Sequence, residues 1–118
     1  MKKHTVSQQQ LLMMAQASIA RLGTIIDLNR PIVLKFSNAK SYFGKYETEL
    51  IVADTIEIVH IITISCVYNH SQSVMDATMG HEMVHAKQIE CGDEADHGES
   101  YQDWRKEIYS NFGIDIDE

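Results

Sequence analysis

The stretch His81-Glu82-Met83-Val84-His85 narrows what this chain can fold into more than any other segment. Two histidines at this spacing converge when the segment is a helix, because positions 81 and 85 then lie one turn apart on the same face. Glu82 stands about 100° round that helix from His81, near enough to take a proton from a water between the imidazoles without being a ligand itself. The chain must therefore build a helix here, turn one face of it to a pocket, and bring a further ligand from another segment. A catalytic zinc site makes the same demand: three protein ligands and one position left open.

The third ligand has to come from beyond the helix. Position 88 is Gln and position 91 is Cys, which excludes the continuous H-E-x-x-H-x-x-G-x-x-H arrangement. Glu90 falls nine residues after His81, on the opposite face of the same helix. His97 fits better: Gly92 breaks the helix, the chain turns back within six residues, and Gly98 permits a tight approach. Glu99, Glu107 and the aspartates of the intervening loop are the alternatives. Asp93 and Asp96 read as solvated loop acids, with the orienting of a ligand imidazole as the other role open to them. Tyr68, His70 and Tyr101 are the side chains that could assist as oxyanion donors. Cys66 and Cys91 form no C-x-x-C pair and are too few for a disulfide framework, so both read as reduced thiols.

The rest of the chain supplies one small domain, residues 1–118, of α+β class. Residues 7–22 have helical spacing of Leu11, Met14 or Ala15, Ile19 or Ser18, and Leu22, with Ser7 or Thr5 as cap and Gly23 as stop. Ile32–Phe36 and Tyr42–Glu47 read as short strands, the second with a possible bulge at Gly44. Residues 55–65 alternate, Ile56, Ile58, Ile62 and Ile64 against Thr55, Glu57, Thr63 and Ser65, which predicts a strand with one buried face. His60 falls on the isoleucine side and reads as a satisfied core or edge histidine. The metal helix is predicted from Ser71 or Ser73 to about Glu90, with Asp76 in a capping-box position. Gly80 inside it costs about 1 kcal/mol unless close packing requires it. A last helix over 99–111 carries Tyr101, Trp104 and Ile108, and 113–118 reads as a frayed tail. The expected architecture is an N-terminal helix, a small, mostly antiparallel three-stranded sheet, the H-E-x-x-H helix and a C-terminal helix.

Charge is divided unevenly. Residues 1–60 carry seven Lys/Arg against five Asp/Glu, and residues 61–118 three against twelve. The acidic half surrounds the histidines, so it favours cations and basic polypeptide and repels a phosphate backbone. Any nucleic acid is expected on the N-terminal half or through a partner. The apolar patch Leu11–Ala15 behind Lys2 and Lys3 is shorter than the roughly 7–15 residues of a secretory core, and no run approaches the roughly 18–20 of a membrane span. A cytoplasmic protein without a membrane partner is expected.

His81-Glu82-Met83-Val84-His85, eleven residues, then His97-Gly98-Glu99-Ser100-Tyr101 resembles the SprT-like metallopeptidases, which read H-E-x-x-H, a spacer, then H-G-x-x and an aromatic. The likeness is specific over about residues 78–104 and extends in layout to most of the chain. It implies a minimal gluzincin-like fold with one zinc ion on His81, His85 and His97, and Glu82 as general base. The implied activity is hydrolysis of peptide bonds in protein or peptide substrates, DNA-associated ones among them. The cysteine-rich ribbon of many members has no counterpart in these residues. The alternative is a non-catalytic zinc-containing binding protein, a phage or accessory factor acting on a host partner.

Overall fold

A computed structural model describes residues 7–52, 56–68 and 70–117; Thr5 and Thr55 lie outside the described residues. Helix α1, Gln8–Leu22, opens with a full capping box: the Ser7 side chain accepts from the Gln10 N–H, and the Gln10 side chain from the Ser7 N–H. Three strands follow, β1 (Ile32–Ser37), β2 (Gly44–Val52) and β3 (Ile56–Ser65). Two helices close the chain, α2 (Gln72–Glu90) and α3 (Glu99–Phe112). The class is α+β, as expected.

The sheet is mixed rather than mostly antiparallel. Its order is β1-β3-β2, with β3 parallel to β1 and antiparallel to β2. The strands run up, down and up in sequence, so β1 and β3 share a direction, and placing β3 in the centre sets them side by side. β3 suits the centre because it is the longest strand and carries no Lys, Arg, Asp or Glu from Ile58 to Ser65. Val59–Ser65 is buried on both faces, which corrects the expectation of one buried face. Lys35 of β1 reaches toward Glu49 of β2 at 3.9 Å, across β3 between Thr63 and Val59, and Ser65 is closed over by the loop after β1, where its Oγ donates to the Ala39 carbonyl. The alternation also fails at the other end of β3, where Ile56 and Ile58 are exposed.

Gly44 is no bulge. Its strand pairs with β3 without interruption from Gly44–Ile64 to Val52–Ile56. A Cβ at Gly44 would stand 2.6 Å from Cγ2 of Thr78 on α2, so the missing side chain lets β2 approach the H-E-x-x-H helix. Gly80 is used the same way, since a Cβ there would stand 2.6 Å from Cγ2 of Ile116. That contact belongs to the C-terminal tail, predicted frayed but folded back here with Ile116 buried. Arg105 fixes it by pairing with Asp115 at 2.8 and 3.0 Å.

Leu11, Ala15 and Leu22 of α1 join Met75, Met79, Met83 and Val84 of α2, Ile62 and Ile64 of β3, and Tyr101 and Ile108 of α3 in one core. Asp76 is not a capping residue. It is buried between α1 and α2, accepting from Ser18 Oγ at 2.6 Å, Gln72 Nε2 at 3.1 Å and Arg21 at 3.0 Å. Ser71 caps α2 instead, accepting from the Val74 N–H.

Candidate metal centre

α2 can carry two inward histidines because its ends are fixed far from them, Ser71 at one and Gly92, with φ +85°, just beyond the other. His81 and His85 lie one turn apart with their rings edge to face, centroids 4.7 Å apart. The loop after Gly92 returns His97 to them. Its ring lies 4.9 Å from His81 and 5.1 Å from His85, and its Nε2 is 3.1 Å from Nε2 of His81. One nitrogen from each of the three histidines falls within 4.8 Å of the others.

The nitrogens that face away are engaged. His85 Nδ1 donates to Gln88 Oε1 at 2.9 Å. The orientation of that amide follows from its other end, where Gln88 Nε2 donates to the Asp96 carbonyl at 3.1 Å and to Ser100 Oγ at 2.8 Å. His81 Nδ1 lies 2.8 Å from the Tyr101 hydroxyl and 3.3 Å from the Ile116 carbonyl. This leaves Nε2 of both rings for the centre. Burial lowers the pKa of both imidazoles, chiefly by desolvation, with the neighbouring imidazoles adding to it. Neutral, convergent imidazoles with engaged distal nitrogens are what a metal ion requires. At Zn–N distances of about 2.0–2.1 Å, tetrahedral ligands sit roughly 3.3 Å apart, close to the His81–His97 separation. These three residues could hold a metal ion.

Glu82 is 7% exposed and beside the cluster. Burial pushes its carboxyl up to about 7, with no charged or hydrogen-bonding neighbour among the described residues to offset it. It lines, with His81, a cavity of about 590 Å³ whose apolar walls come from Phe43, Val74, Ala77, Ile114 and Ile116. Gly44, the first residue of edge strand β2, borders the same cavity. β3 has a partner on each side, so only its neighbours offer a free edge.

No protein-family model, curated protein or solved structure matches this chain.

Among the other side chains weighed from sequence, Glu90 is absent from the cluster. It accepts from the N–H groups of Asn29 and Arg30 and from His60. Glu99 and Glu107 are absent from it too. Tyr68 donates to the Lys40 carbonyl, His70 is bonded through Nε2 to the Ser65 carbonyl, and Tyr101 sits under His81. None of the three is therefore set as an oxyanion donor. Asp96 acts at one remove, through Gln88, and also accepts from the Gly98 N–H at 3.1 Å. Gln88 itself escaped the sequence reading. Its signal was there: a buried-face amide three residues past a ligand histidine on the same helix.

Proposed function

We propose that the chain is a zinc-dependent endopeptidase of the SprT-like kind. His81, His85 and His97 hold one zinc ion, and Glu82 is the general base. The observation that carries this reading is the placement of Glu82, a buried residue with no hydrogen-bond partner among the described residues, one residue along from a convergent histidine. Zinc held only for structure has no use for such a group and favours a closed fourth position.

When bound, zinc supplies Lewis acidity, bringing the pKa of a coordinated water toward about 7 and polarising a carbonyl. Glu82 takes the proton of the attacking water and returns it to the leaving amine, a role its place beside the convergent histidines and on the wall of the same cavity allows. Gln88 and Tyr101 hold the ligand rings in place. An extended substrate lies along the free edge of β2 where Gly44 borders the cavity, adding a strand. The acidic half favours basic polypeptide, DNA-associated proteins included.

The test is cleavage of unstructured and basic proteins by zinc-loaded wild type and Glu82→Gln, with and without single-stranded DNA, read by mass spectrometry. Fragments that vanish in the variant while its zinc content stays the same are expected. Fragments of equal yield from both proteins would overturn the mechanism, and none from either would favour a binding role.

A further inference from the structure

The tail after α3 ends against the metal helix, and its polar atoms settle the direction of a hydrogen-bond chain. Three groups meet behind His81: the Tyr101 hydroxyl at 2.8 Å, the Ile116 carbonyl at 3.3 Å and, beyond the hydroxyl, the Asp117 carboxylate at 3.2 Å. Two of them only accept. The Ile116 carbonyl has no hydrogen to give, and neither has an ionised Asp117. If the Tyr101 hydroxyl donated to His81, the Nδ1 lone pair would face the Ile116 carbonyl, and the Asp117 oxygen would face a lone pair of the phenol. The reverse order satisfies every atom: His81 Nδ1–H donates to Tyr101 and Ile116, and Tyr101 O–H donates to Asp117. At the front of the ring, Nε2 then keeps its lone pair, and the His97 Nε2 at 3.1 Å can donate to it in the metal-free protein.

We infer that Tyr101 and the tail residues Ile116 and Asp117 form a positioning relay that presets His81 to ligate through Nε2, making the folded-back segment after α3 a component of the metal centre. The inference rests on the proposed zinc site and deepens it. The tail is held for this task by several independent contacts. Arg105 grips Asp115 at 2.8 and 3.0 Å and reaches Asp117 at 3.5 Å. Asp117 N–H donates to Asp115 Oδ1 at 3.1 Å. Ile116 is buried against the Cβ-less surface of Gly80, the residue immediately before His81. Any side chain at position 80 would push Ile116, and with it the carbonyl that His81 uses. Tyr101 is fully buried, so its hydroxyl has no solvent alternative to these partners.

The experiment uses the full chain and two readouts. Long-range proton–nitrogen NMR of the metal-free protein identifies the tautomer of His81, and competition with a chromophoric chelator gives zinc affinity. Wild type should show His81 protonated at Nδ1. Tyr101→Phe should lose zinc affinity by about 10–100-fold, the range for outer-shell partners of metal-binding histidines. Asp117→Asn, an exposed change that leaves the core intact, should lose less, because its amide can turn and still accept. Thermal melts of the metal-free variants separate this loss from misfolding. His81 protonated at Nε2 in wild type, or unchanged affinity in a folded Tyr101→Phe, would overturn the relay. A wild type that takes up no zinc would sink the peptidase reading instead, and the His81 tautomer would still decide the relay.

Discussion

α2 contributes to two histidine sites, and they are built on opposite principles. At its C-terminal end, His60 of β3 has both nitrogens used up, Nδ1 against the Tyr46 hydroxyl at 2.8 Å and Nε2 donating to Glu90 at 2.7 Å. In the middle of the same helix, His81 and His85 have their distal nitrogens engaged and their Nε2 atoms turned toward His97. The carboxylates differ in the same way. Burial alone would raise Glu90, yet the Asn29 and Arg30 N–H groups and His60 outweigh it and hold the carboxyl below its ordinary range. Glu82, eight residues earlier, has no such donors and is pushed up to about 7. His60 and Glu90 have complete partners and belong to the architecture; the set left open around Glu82 is the one we assign to a ligand.

The comparison breaks most sharply at the two glutamates. Glu82→Gln should lower peptide cleavage by at least about 10²-fold, the low end for a general base, while leaving the metal-free melting temperature unchanged or higher. A cleavage rate within a few-fold of wild type would contradict it. His97→Ala should weaken zinc binding by more than about 100-fold, beyond what a supporting residue costs, with little change in fold because His97 is exposed. Equilibrium dialysis against a zinc buffer measures this. Glu90→Ala should do the reverse of Glu82→Gln. It strips an acceptor from two backbone N–H groups and a buried imidazole, at a cost of about 2–3 kcal/mol in urea unfolding, and spares zinc affinity.

The two carboxyls should also give stability opposite slopes with pH in the metal-free protein. Glu82 has a folded pKa of about 7, above that of the unfolded chain, so the folded state binds its proton more tightly. Its contribution is complete below the ordinary carboxyl range and is lost as pH rises toward 7, up to about 3 kcal/mol. Glu90 is depressed, so its contribution is present above the ordinary range and lost as the medium becomes more acid. Urea unfolding of Glu82→Gln from pH 4 to 8 should show the first decline removed, and a decline as steep as in wild type would assign it elsewhere.

The elements with local signals were legible in the sequence. Ser7, Ser71 and Gly92 bound their helices, and the H-E-x-x-H spacing with His97 brought out three residues that do meet in space. What failed depends on long-range pairing. Nothing near Ile32–Ser37 announces that it will lie parallel to a strand more than twenty residues later. The burial of Thr63 and Ser65 depends on Lys35 and Glu49 crossing the central strand beside the first and on the loop at Ala39 closing over the second. Asp76 has the spacing of a cap and the partners of a core residue, because α1 brings Ser18 and Arg21 to it. Gly80 was ambiguous and the tail was read as frayed; the Ile116 contact explains the first and corrects the second. Gln88 looked like a position where a zinc pattern stopped, and it became the residue that fixes His85 once the loop brought Asp96 and Ser100 against it.

The most direct test of the central claim is zinc X-ray absorption spectroscopy on the full chain loaded with one equivalent. The account predicts a four-coordinate ion with three imidazole nitrogens and one oxygen at about 2.0 Å, dropping to two imidazoles in His97→Ala. A site with sulfur from Cys91, or one whose imidazole count is unchanged in that variant, would contradict it.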